Sequence, residues 1–242
     1  MRFPAMILAA GRGERMRPLS DACPKPLLPV AGEALIARQI RALARAGFTD
    51  IVINASHLAA MLVEAIGDGS RYGARVRWSI EREALETAGG IATARPLLGD
   101  GPALIVSGDI WTAFDYASLQ PAMRAMAARD GGARVHLVMV PNPPFHPRGD
   151  FVLAPQRAGP AIVEADGGPR LTYGNIGVFD LALFAELPAR TKLKLSPYLN
   201  AWIANGRVTG ERFDGPWENV GTPADLARLD AQLRADAKEN LQ

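Results

Sequence analysis

Residues 8–30 have the sequence LAAGRGERMRPLSDACPKPLLPV. They continue a short apolar segment, residues 3–8, whose composition predicts a buried strand. Gly11 and Gly13 then allow the backbone to turn sharply and to bring bare amide groups close to a ligand. Adjacent backbone N–H groups in such a loop form an anion-binding concavity, and the arginines and the lysine of this stretch add positive charge. The stretch therefore predicts a strand followed by a loop that holds a triphosphate.

Two common phosphate-binding loops do not match this stretch. A P-loop ends in Gly-Lys followed by Ser or Thr, and no such triplet follows Gly11 or Gly13. A Rossmann fingerprint needs a third glycine, but Met16 occupies that position. The loop is therefore of another kind.

Strand-like and helix-like segments alternate along the first 140 residues. Ile36, Ile40 and Leu43 recur at helical spacing before Gly47, a typical helix end. This alternation predicts a Rossmann-like α/β domain whose mostly parallel sheet has helices on both faces. Further strands are expected at 51–53, 75–80, 103–107 and 135–140, and further helices at 58–66, 88–97 and 119–128.

The second part of the chain is less regular. A proline-rich loop at 141–147 precedes a segment, 151–163, that predicts short strands of a small sheet. A strand at 175–179, a helix at 197–205, a strand at 208–213 and a last helix with Leu226, Leu229 and Leu233 are expected to follow. No linker or repeat interrupts this order, so residues 1–236 are predicted to form one domain with a polar tail, 237–242.

Asp109 comes directly after the apolar strand at 103–107 and Gly108. Ligands of open parallel sheets bind outside the carboxyl ends of the strands, so Asp109 is expected on the same edge as the loop around Gly11. A carboxylate there suits Mg²⁺, which takes oxygen ligands. A turn or helix cap is the other common role of such an aspartate.

The composition of the chain indicates which partners and which cellular compartment to expect. Hydrophobic residues make up 48% and charged residues 21% of 242 residues, and the net charge is +2. Neither nucleic acid nor a membrane surface is expected as a partner at this charge, and no apolar run approaches the roughly 20 residues that span a bilayer. Cys23 is the only cysteine, which excludes an intrachain disulfide and suits a reducing compartment. We expect a cytoplasmic protein that is a monomer or a small homo-oligomer.

The opening stretch resembles the signature of the sugar-1-phosphate nucleotidylyltransferases. Their pattern is roughly Leu-Ala-Ala-Gly-x-Gly-Thr-Arg followed by Pro-Lys-Pro, and here Glu14 stands where many members have Thr. The resemblance implies a glycosyltransferase-A-like fold with a nucleotide-binding part, 1–140, a sugar-binding part, 141–222, and a C-terminal helix, 223–236. It also implies transfer of a nucleotidyl group from a nucleoside triphosphate to a sugar 1-phosphate, with Mg²⁺ as cofactor and pyrophosphate as the second product.

The resemblance assigns residues around the nucleotide. Arg15 is expected to hold the triphosphate and Lys25 to bridge the reacting phosphates. Residues 81–91, EREALETAGGI, match the Leu-Gly-Thr-Ala-Gly element that closes over the base and ribose, with Glu86 in place of its glycine. Glu81 falls at the base-reading position, although a solvated strand end is its alternative role. The predicted nucleotide-binding residues are Leu8, Ala9, Ala10, Gly11, Gly13, Glu81, Thr87 and Gly108.

A second motif near the C-terminus completes the predicted metal site. Residues 217–223, WENVGTP, match the family's Trp-x-Asp-Val-Gly-Thr element, so Asp109 and Asn219 are the predicted metal ligands. Asn219 replaces the usual aspartate, and Glu218 is the alternative ligand. Thr222 is expected to cap the last helix.

The sugar contacts predicted from the resemblance are Gly149 and Asn175. Arg148 is added because it is the nearest cation in sequence for an acidic sugar. The Glu-Arg-Met and Leu-Glu-Thr variants at 14–16 and 85–87 are most similar to the branch that uses UTP and N-acetylmuramate 1-phosphate in cell-wall recycling. A mannose-1-phosphate guanylyltransferase, a non-catalytic nucleotide sensor and a cytidylyltransferase for alcohol phosphates remain alternatives.

The three histidines, His57, His136 and His146, lack metal-ligand spacing and are expected to be structural or on the surface.

Overall fold

The computed structural model describes residues 2–129, 132–154, 156 and 159–239. Its strands are β1 (Ala5–Leu8), β2 (Pro29–Val30), β3 (Glu33–Ala34), β4 (Asp50–Ala55), β5 (Arg75–Ile80), β6 (Pro102–Ser107), β7 (Ile110–Thr112), β8 (Val135–Val140), β9 (Phe151–Ala154), β10 (Ala161–Glu164), β11 (Arg170–Asp180), β12 (Val208–Arg212) and β13 (Trp217–Asn219). Its helices are α1 (Leu19–Ala22), α2 (Leu35–Arg45), α3 (Ala59–Ile66), α4 (Glu86–Leu98), α5 (Gln120–Ala128), α6 (Ser196–Ala204) and α7 (Pro223–Glu239).

A single large sheet organises the described residues, with its nine strands in the order β5-β4-β1-β6-β11-β8-β12-β10-β9. Strands β5, β4, β1 and β6 are parallel neighbours. Strand β11 runs the other way between β6 and β8, and β10 runs opposite to its neighbours β12 and β9. The remaining strands share one direction, so the predicted mostly parallel α/β sheet is confirmed.

The two faces of the sheet carry separate hydrophobic cores, because successive residues of a strand point to opposite sides. Ala5 and Ile7 of β1 belong to the core that α2, α3 and α5 cover. Met6, between them, belongs to the core that α4 and α6 cover. Helices therefore cover both faces of the sheet, as the sequence predicted.

Strands β9 to β11 differ from the sequence prediction, whereas β12 lies where it was predicted. The segment expected to form a separate small sheet instead extends the edge of the large sheet. Strand β11 has 11 residues and begins at Arg170, well before the predicted start at Asn175. Its register shifts between Tyr173 and Gly177, and Asn175 within this bulge has a φ of 56°. An asparagine tolerates this left-handed conformation better than most residues, and the bulge interrupts the alternation that would reveal the strand.

The C-terminal segment returns to the edge of the sheet where β6 ends. Strand β13 pairs antiparallel with β7, which follows β6 directly. Helix α7 is held by a small core that includes Val30, Val220 and Leu229. It ends at Glu239 rather than at residue 236.

The start of α7 has the predicted cap. The Thr222 backbone N–H donates to the carboxylate of Asp225 at 2.9 Å, and the Asp225 backbone N–H donates to Thr222 Oγ1 at 3.2 Å. This reciprocal arrangement satisfies donors that the first helical turn leaves unpaired. Within the described residues, no helix is both long and apolar enough to cross a membrane.

Candidate active site

A cavity of about 630 Å³, here the glycine-loop cavity, opens at the carboxyl ends of β1, β4 and β6. The predicted nucleotide residues that line it are Leu8, Ala9, Ala10, Gly11, Gly13, Glu81 and Thr87, and the predicted catalytic and metal residues Arg15, Lys25 and Asp109 line it as well. The structure thus brings together segments that lie far apart in sequence, as expected for the ends of neighbouring parallel strands.

The two glycines of the first loop have different roles. Gly13 has a φ of 66°, its carbonyl accepts from Ser20 Oγ at 2.8 Å, and a Cβ there would lie 3.1 Å from Lys25 Cβ. A side chain at this position would therefore be both strained and crowded. At Gly11, by contrast, a Cβ would meet no protein atom within 4 Å. The space beside Gly11 is open to the cavity and leaves its backbone accessible to a ligand.

Lys25 and Asp109 form an ion pair in the wall of the glycine-loop cavity. Lys25 Nζ donates to Asp109 Oδ2 at 2.6 Å, and Ser107 Oγ donates to Asp109 Oδ1 at 2.7 Å. Lys25 is only 7% exposed, so its ammonium group depends on the carboxylate for compensation. The ion pair and the hydrogen bond from Ser107 therefore hold both side chains in the cavity wall.

Asn219 lies beside Asp109 because β13 pairs with β7. The Val220 backbone N–H donates to the Asp109 carbonyl at 2.9 Å, and Asn219 is directly opposite Ile110. Asn219 Oδ1 is buried and has no hydrogen-bond partner among the described residues. An unsatisfied buried acceptor costs about 1–3 kcal/mol, which a cation or another donor at this point would recover.

Glu218 is not positioned like its neighbour Asn219. Adjacent strand residues face opposite sides, and Glu218 Oε2 accepts from Arg228 Nη2 of α7 at 2.7 Å.

Within the residues that the structure describes, no group of three His, Cys, Asp or Glu side chains could hold a metal. The donors available beside the cavity are thus one carboxylate and one amide oxygen. They suit Mg²⁺, which commonly takes one or two protein oxygens and completes its shell with water and phosphate.

Glu81 lines the glycine-loop cavity, but its carboxylate is occupied within the protein. Asn54 Nδ2 donates to Glu81 Oε1 at 2.7 Å, and the Leu85 backbone N–H donates to Glu81 Oε2 at 2.9 Å. Asn54 Oδ1 in turn accepts from the Ala9 backbone N–H at 2.8 Å. Burial raises the pKa of Glu81, and the hydrogen bonds from Asn54 and Leu85 oppose that shift. Glu81 therefore ties the first loop to the segment before α4.

A second cavity of about 440 Å³, here the lateral cavity, adjoins the first one and shares Leu8, Glu86, Thr87 and Ser107 with it. Besides Leu8 and Thr87, the predicted site residues that line it are Asn175 and Asn219. The sequence reasoning missed further polar residues on its wall, namely His146, Asp150, Thr172, Tyr173 and Lys194.

His146 belongs to the lateral cavity wall rather than to an unrelated part of the surface. Its Nε2 lies 3.0 Å from Asp150 Oδ1, and Asp150 Oδ2 accepts from the Tyr173 backbone N–H at 2.8 Å. The spacing of His146 and Asp150, four residues apart in a loop with several prolines, is the only sequence signal for this pair.

Three predicted site residues do not line either cavity. Gly149 is buried, and a Cβ there would lie 2.6 Å from Asn142 Oδ1, so close packing requires the glycine. Gly108 packs against the end of β1, where a Cβ would lie 2.9 Å from the Leu8 carbonyl oxygen. Arg148 is exposed to solvent. Gly108 and Gly149 are thus required by close packing.

A loop before α6 supplies two lysines that no motif indicated. Lys192 lines the glycine-loop cavity and Lys194 lines the lateral cavity. The loop packs tightly on α4, because a Cβ at Gly89 would lie 2.1 Å from the Thr191 carbonyl oxygen. Gly89 is the last residue of the matched Leu-Gly-Thr-Ala-Gly element, but no local pattern in the sequence indicates that this loop packs on it.

Glu86 is the first residue of α4 and lines both cavities. Its φ is 60°, in the left-handed region that costs an ordinary residue roughly 1–2 kcal/mol. The backbone therefore keeps the conformation expected of the glycine that Glu86 replaces in the matched motif. Strain of this kind is typical of functional sites.

Comparison with known proteins shows the family to which the chain belongs. Residues 4–147 match the family model described as nucleotidyl transferase. The chain is 44% identical to N-acetylmuramate alpha-1-phosphate uridylyltransferase of Neisseria meningitidis, over 94% of this chain and 96% of that protein. It is 35% identical to the Caulobacter vibrioides protein of the same name, over 95% and 96% of the two chains.

A solved structure shows the same fold. The crystal structure from Bacillus anthracis described as a glucose-1-phosphate thymidylyltransferase superposes with a TM-score of 0.79 and covers 96% of this chain and 95% of its own. The sequence identity is 21%, so this likeness concerns the fold alone.

Proposed function

This chain belongs to the nucleotidyl transferase family, and we propose that it transfers a uridylyl group from UTP to N-acetylmuramate 1-phosphate. The products are UDP-N-acetylmuramate and pyrophosphate, and the reaction fits the recycling of cell-wall sugars. The 44% identity to the Neisseria meningitidis uridylyltransferase, over nearly the full length of both chains, carries this proposal. We place the reaction in the cytoplasm, in line with the single cysteine.

The two adjoining cavities support an arrangement with one substrate in each. The glycine-loop cavity has the accessible backbone of the first loop together with Arg15, Lys25 and Lys192. Backbone N–H groups and cations are the usual partners of phosphate oxygens. The triphosphate therefore belongs there, and the sugar belongs in the lateral cavity, whose wall is formed by Asn175, Thr172 and other side chains from β11.

The reaction needs alignment and charge neutralisation more than proton transfer. An oxygen of the sugar phosphate attacks the α-phosphorus of UTP, and the bond from that phosphorus to the pyrophosphate oxygen breaks. A phosphate monoester is already a nucleophile at neutral pH, so no general base is required. In this proposal Arg15 holds the triphosphate and the departing pyrophosphate, and Lys25, in the wall of the same cavity, bridges the reacting phosphates. These preorganised charges stabilise the transition state.

Asp109 and Asn219 are the residues that would hold a Mg²⁺ ion. When bound, the ion orients the phosphates and polarises them. Ser107 positions the Asp109 carboxylate through its hydrogen bond. The buried and otherwise unsatisfied Oδ1 of Asn219 is the observation that supports its role as the second ligand.

A substrate matrix tests the proposed function. Pyrophosphate release would be measured with four nucleoside triphosphates against N-acetylmuramate, N-acetylglucosamine and mannose 1-phosphates, with Mg²⁺ present and then removed by EDTA. We expect the highest kcat/KM for UTP with N-acetylmuramate 1-phosphate and no turnover after EDTA treatment. A preference for GTP with mannose 1-phosphate would overturn the substrate assignment. Binding of nucleotide without any pyrophosphate release would instead identify a sensor.

A further inference from the structure

Lys194 is a cation in a place where phosphate chemistry does not require one. Among the described residues that line the lateral cavity, it is the only lysine or arginine. The cations beside the phosphate-binding loop, Arg15, Lys25 and Lys192, line the other cavity. A sugar ring itself offers hydroxyl groups, which neutral side chains can bind. The 1-phosphate of the sugar attacks the triphosphate, so it belongs on the side of the glycine-loop cavity and its three cations. A further cation in the lateral cavity therefore points to a second anionic group on the substrate.

The main chain around Lys194 is locked onto the start of α4. The Leu193 carbonyl accepts from the backbone N–H groups of Ala88 and Gly89 at 3.0 and 3.1 Å, and the Leu193 N–H donates to the Leu85 carbonyl at 2.9 Å. Leu193 and Leu195 pack against the core on this face of the sheet. Lys192 and Lys194, by contrast, are both exposed.

The acidic residues that line the lateral cavity with Lys194 increase the need for its positive charge if an anionic substrate is to bind there. The lateral cavity also contains Glu86 and Asp150, which would repel an anionic substrate. The Asp150 carboxylate is already bound by His146 and by the Tyr173 N–H. Lys194 has no ion pair with the described acidic residues. Its ammonium group is thus available to a carboxylate that enters the cavity.

We infer that Lys194 is the residue that recognises the carboxylate of an acidic sugar phosphate and so sets the choice of sugar. This inference rests on the proposed function, because N-acetylmuramate differs from N-acetylglucosamine by a lactyl ether that carries a carboxylate. Phe145, whose side chain is 56% exposed and lines the same cavity, offers an apolar surface to the lactyl methyl group. Arg148, the cation nearest in sequence to the proline-rich loop, lies outside the cavity wall.

The variant Lys194→Met tests this role, because it keeps an unbranched apolar side chain of similar reach and removes the charge. With UTP and Mg²⁺ at saturation, we expect kcat/KM for N-acetylmuramate 1-phosphate to fall by roughly 10- to 100-fold, mainly through KM, as for the loss of a charge-assisted hydrogen bond. The value for N-acetylglucosamine 1-phosphate should change by less than about threefold, within the range of weak exposed charge effects. Lys194→Arg should restore most of the preference for the acidic sugar.

Two further variants make the result decisive. Lys238→Met, the same substitution at an exposed lysine of α7, should leave both sugars unaffected. Arg148→Met should also leave the ratio between the sugars unchanged. A selective loss for Arg148→Met, equal losses for both sugars in Lys194→Met, or no loss at all in Lys194→Met would each overturn the inference.

Calorimetry separates this inference from the proposed function. Binding of N-acetylmuramate 1-phosphate to the intact protein and to Lys194→Met would be measured without nucleotide. Weaker binding of N-acetylmuramate 1-phosphate by Lys194→Met, with unchanged binding of N-acetylglucosamine 1-phosphate, supports the carboxylate contact. This holds even if the wild-type protein shows no turnover with UTP. Equal binding of the acidic sugar by both proteins overturns it. Circular dichroism confirms that the exposed substitution leaves the fold intact.

Discussion

The glycine-loop cavity and the lateral cavity are built from different parts of the polypeptide. The first is formed by backbone amides and by side chains at the ends of parallel strands, with Gly11 after β1, Asn54 near the end of β4 and Ser107 at the end of β6. The second is formed by side chains from loops and from the reversed strand β11, including His146, Asn175 and Lys194.

Under the proposed function, this difference separates recognition of the triphosphate from recognition of the sugar. A phosphate chain is common to all nucleoside triphosphates, and the main chain of a loop can bind it whatever its side chains are. A sugar is distinguished by its substituents, which must be met by individual side chains. Substitutions in the glycine-loop cavity should therefore reduce activity with every substrate, whereas substitutions in the lateral cavity should change the preference among sugars.

The largest expected effect is the loss of a cation from the glycine-loop cavity. Arg15→Ala and Lys25→Ala should each reduce kcat by roughly 10²- to 10³-fold with every sugar, because a preorganised charge that stabilises the transition state is removed. Pyrophosphate release with several sugar phosphates would measure this. Loss of activity with one sugar only, or turnover close to wild type, would contradict the division between the cavities.

The next effect concerns the pair of metal ligands. Asp109→Asn should remove most activity, because it deletes the charged ligand and also leaves Lys25 without its partner. Asn219→Asp should be tolerated and should lower the Mg²⁺ concentration needed for half-maximal rate, because it adds a second carboxylate. Mg²⁺ titrations of the rate would measure both. Complete loss of activity in a folded Asn219→Asp protein would show that the neutral amide has another role.

A smaller effect is expected from Glu81, which supports the first loop through Asn54. Glu81→Gln replaces one acceptor oxygen by a donor, so one of the two hydrogen bonds is lost and kcat/KM for UTP should fall roughly tenfold. The sugar preference should stay as in the wild type. A change in sugar preference without a change in KM for UTP would contradict this prediction, because it would show that Glu81 acts on the lateral cavity.

Glu81 also predicts a pH dependence of stability. Its pKa is raised above the ordinary value of 4.5 by burial, although Asn54 and Leu85 oppose the shift. The contribution of Glu81 to the free energy of unfolding is therefore complete below pH 4.5. It declines as the pH rises through the higher pKa that Glu81 has in the folded state. Urea unfolding between pH 4 and 7 should show wild type losing stability relative to Glu81→Gln as the pH rises. A difference independent of pH would contradict the raised pKa.

The smallest effect is expected at Glu86, where the two cavities meet. Glu86→Gly should raise the free energy of unfolding by about 0.5–1 kcal/mol, because glycine adopts a φ of 60° without strain. Glu86→Ala is the matched control, since it removes the same carboxylate and keeps the strain. Thermal unfolding of both would measure the difference. Equal stability of the two variants would mean that the left-handed backbone carries no cost here.

Prediction from the sequence succeeded best where the signal is local. The strands at 75–80 and 135–140 have the bounds that their apolar patterns predicted, because alternation and apolar runs depend only on neighbouring residues. Strand β11 was predicted at less than half its length, since its bulge at Asn175 breaks the alternation. The pairing of β9 and β10 with the large sheet depends on partners far away in sequence, which no local pattern reveals.

The sequence by itself determined the phosphate-binding loop and the strand ends that surround it. Glycines, apolar runs and a short charged stretch dictate backbone conformation over a few residues, and parallel strands then bring their carboxyl ends to one edge. Only the tertiary structure decided which side chains line the lateral cavity. Lys194, His146 and the amide oxygen of Asn219 reach the site through the packing of a loop on Gly89, through a proline-rich turn and through the pairing of β13 with β7. Those contacts join segments distant along the chain, so their outcome depends on the whole folded core.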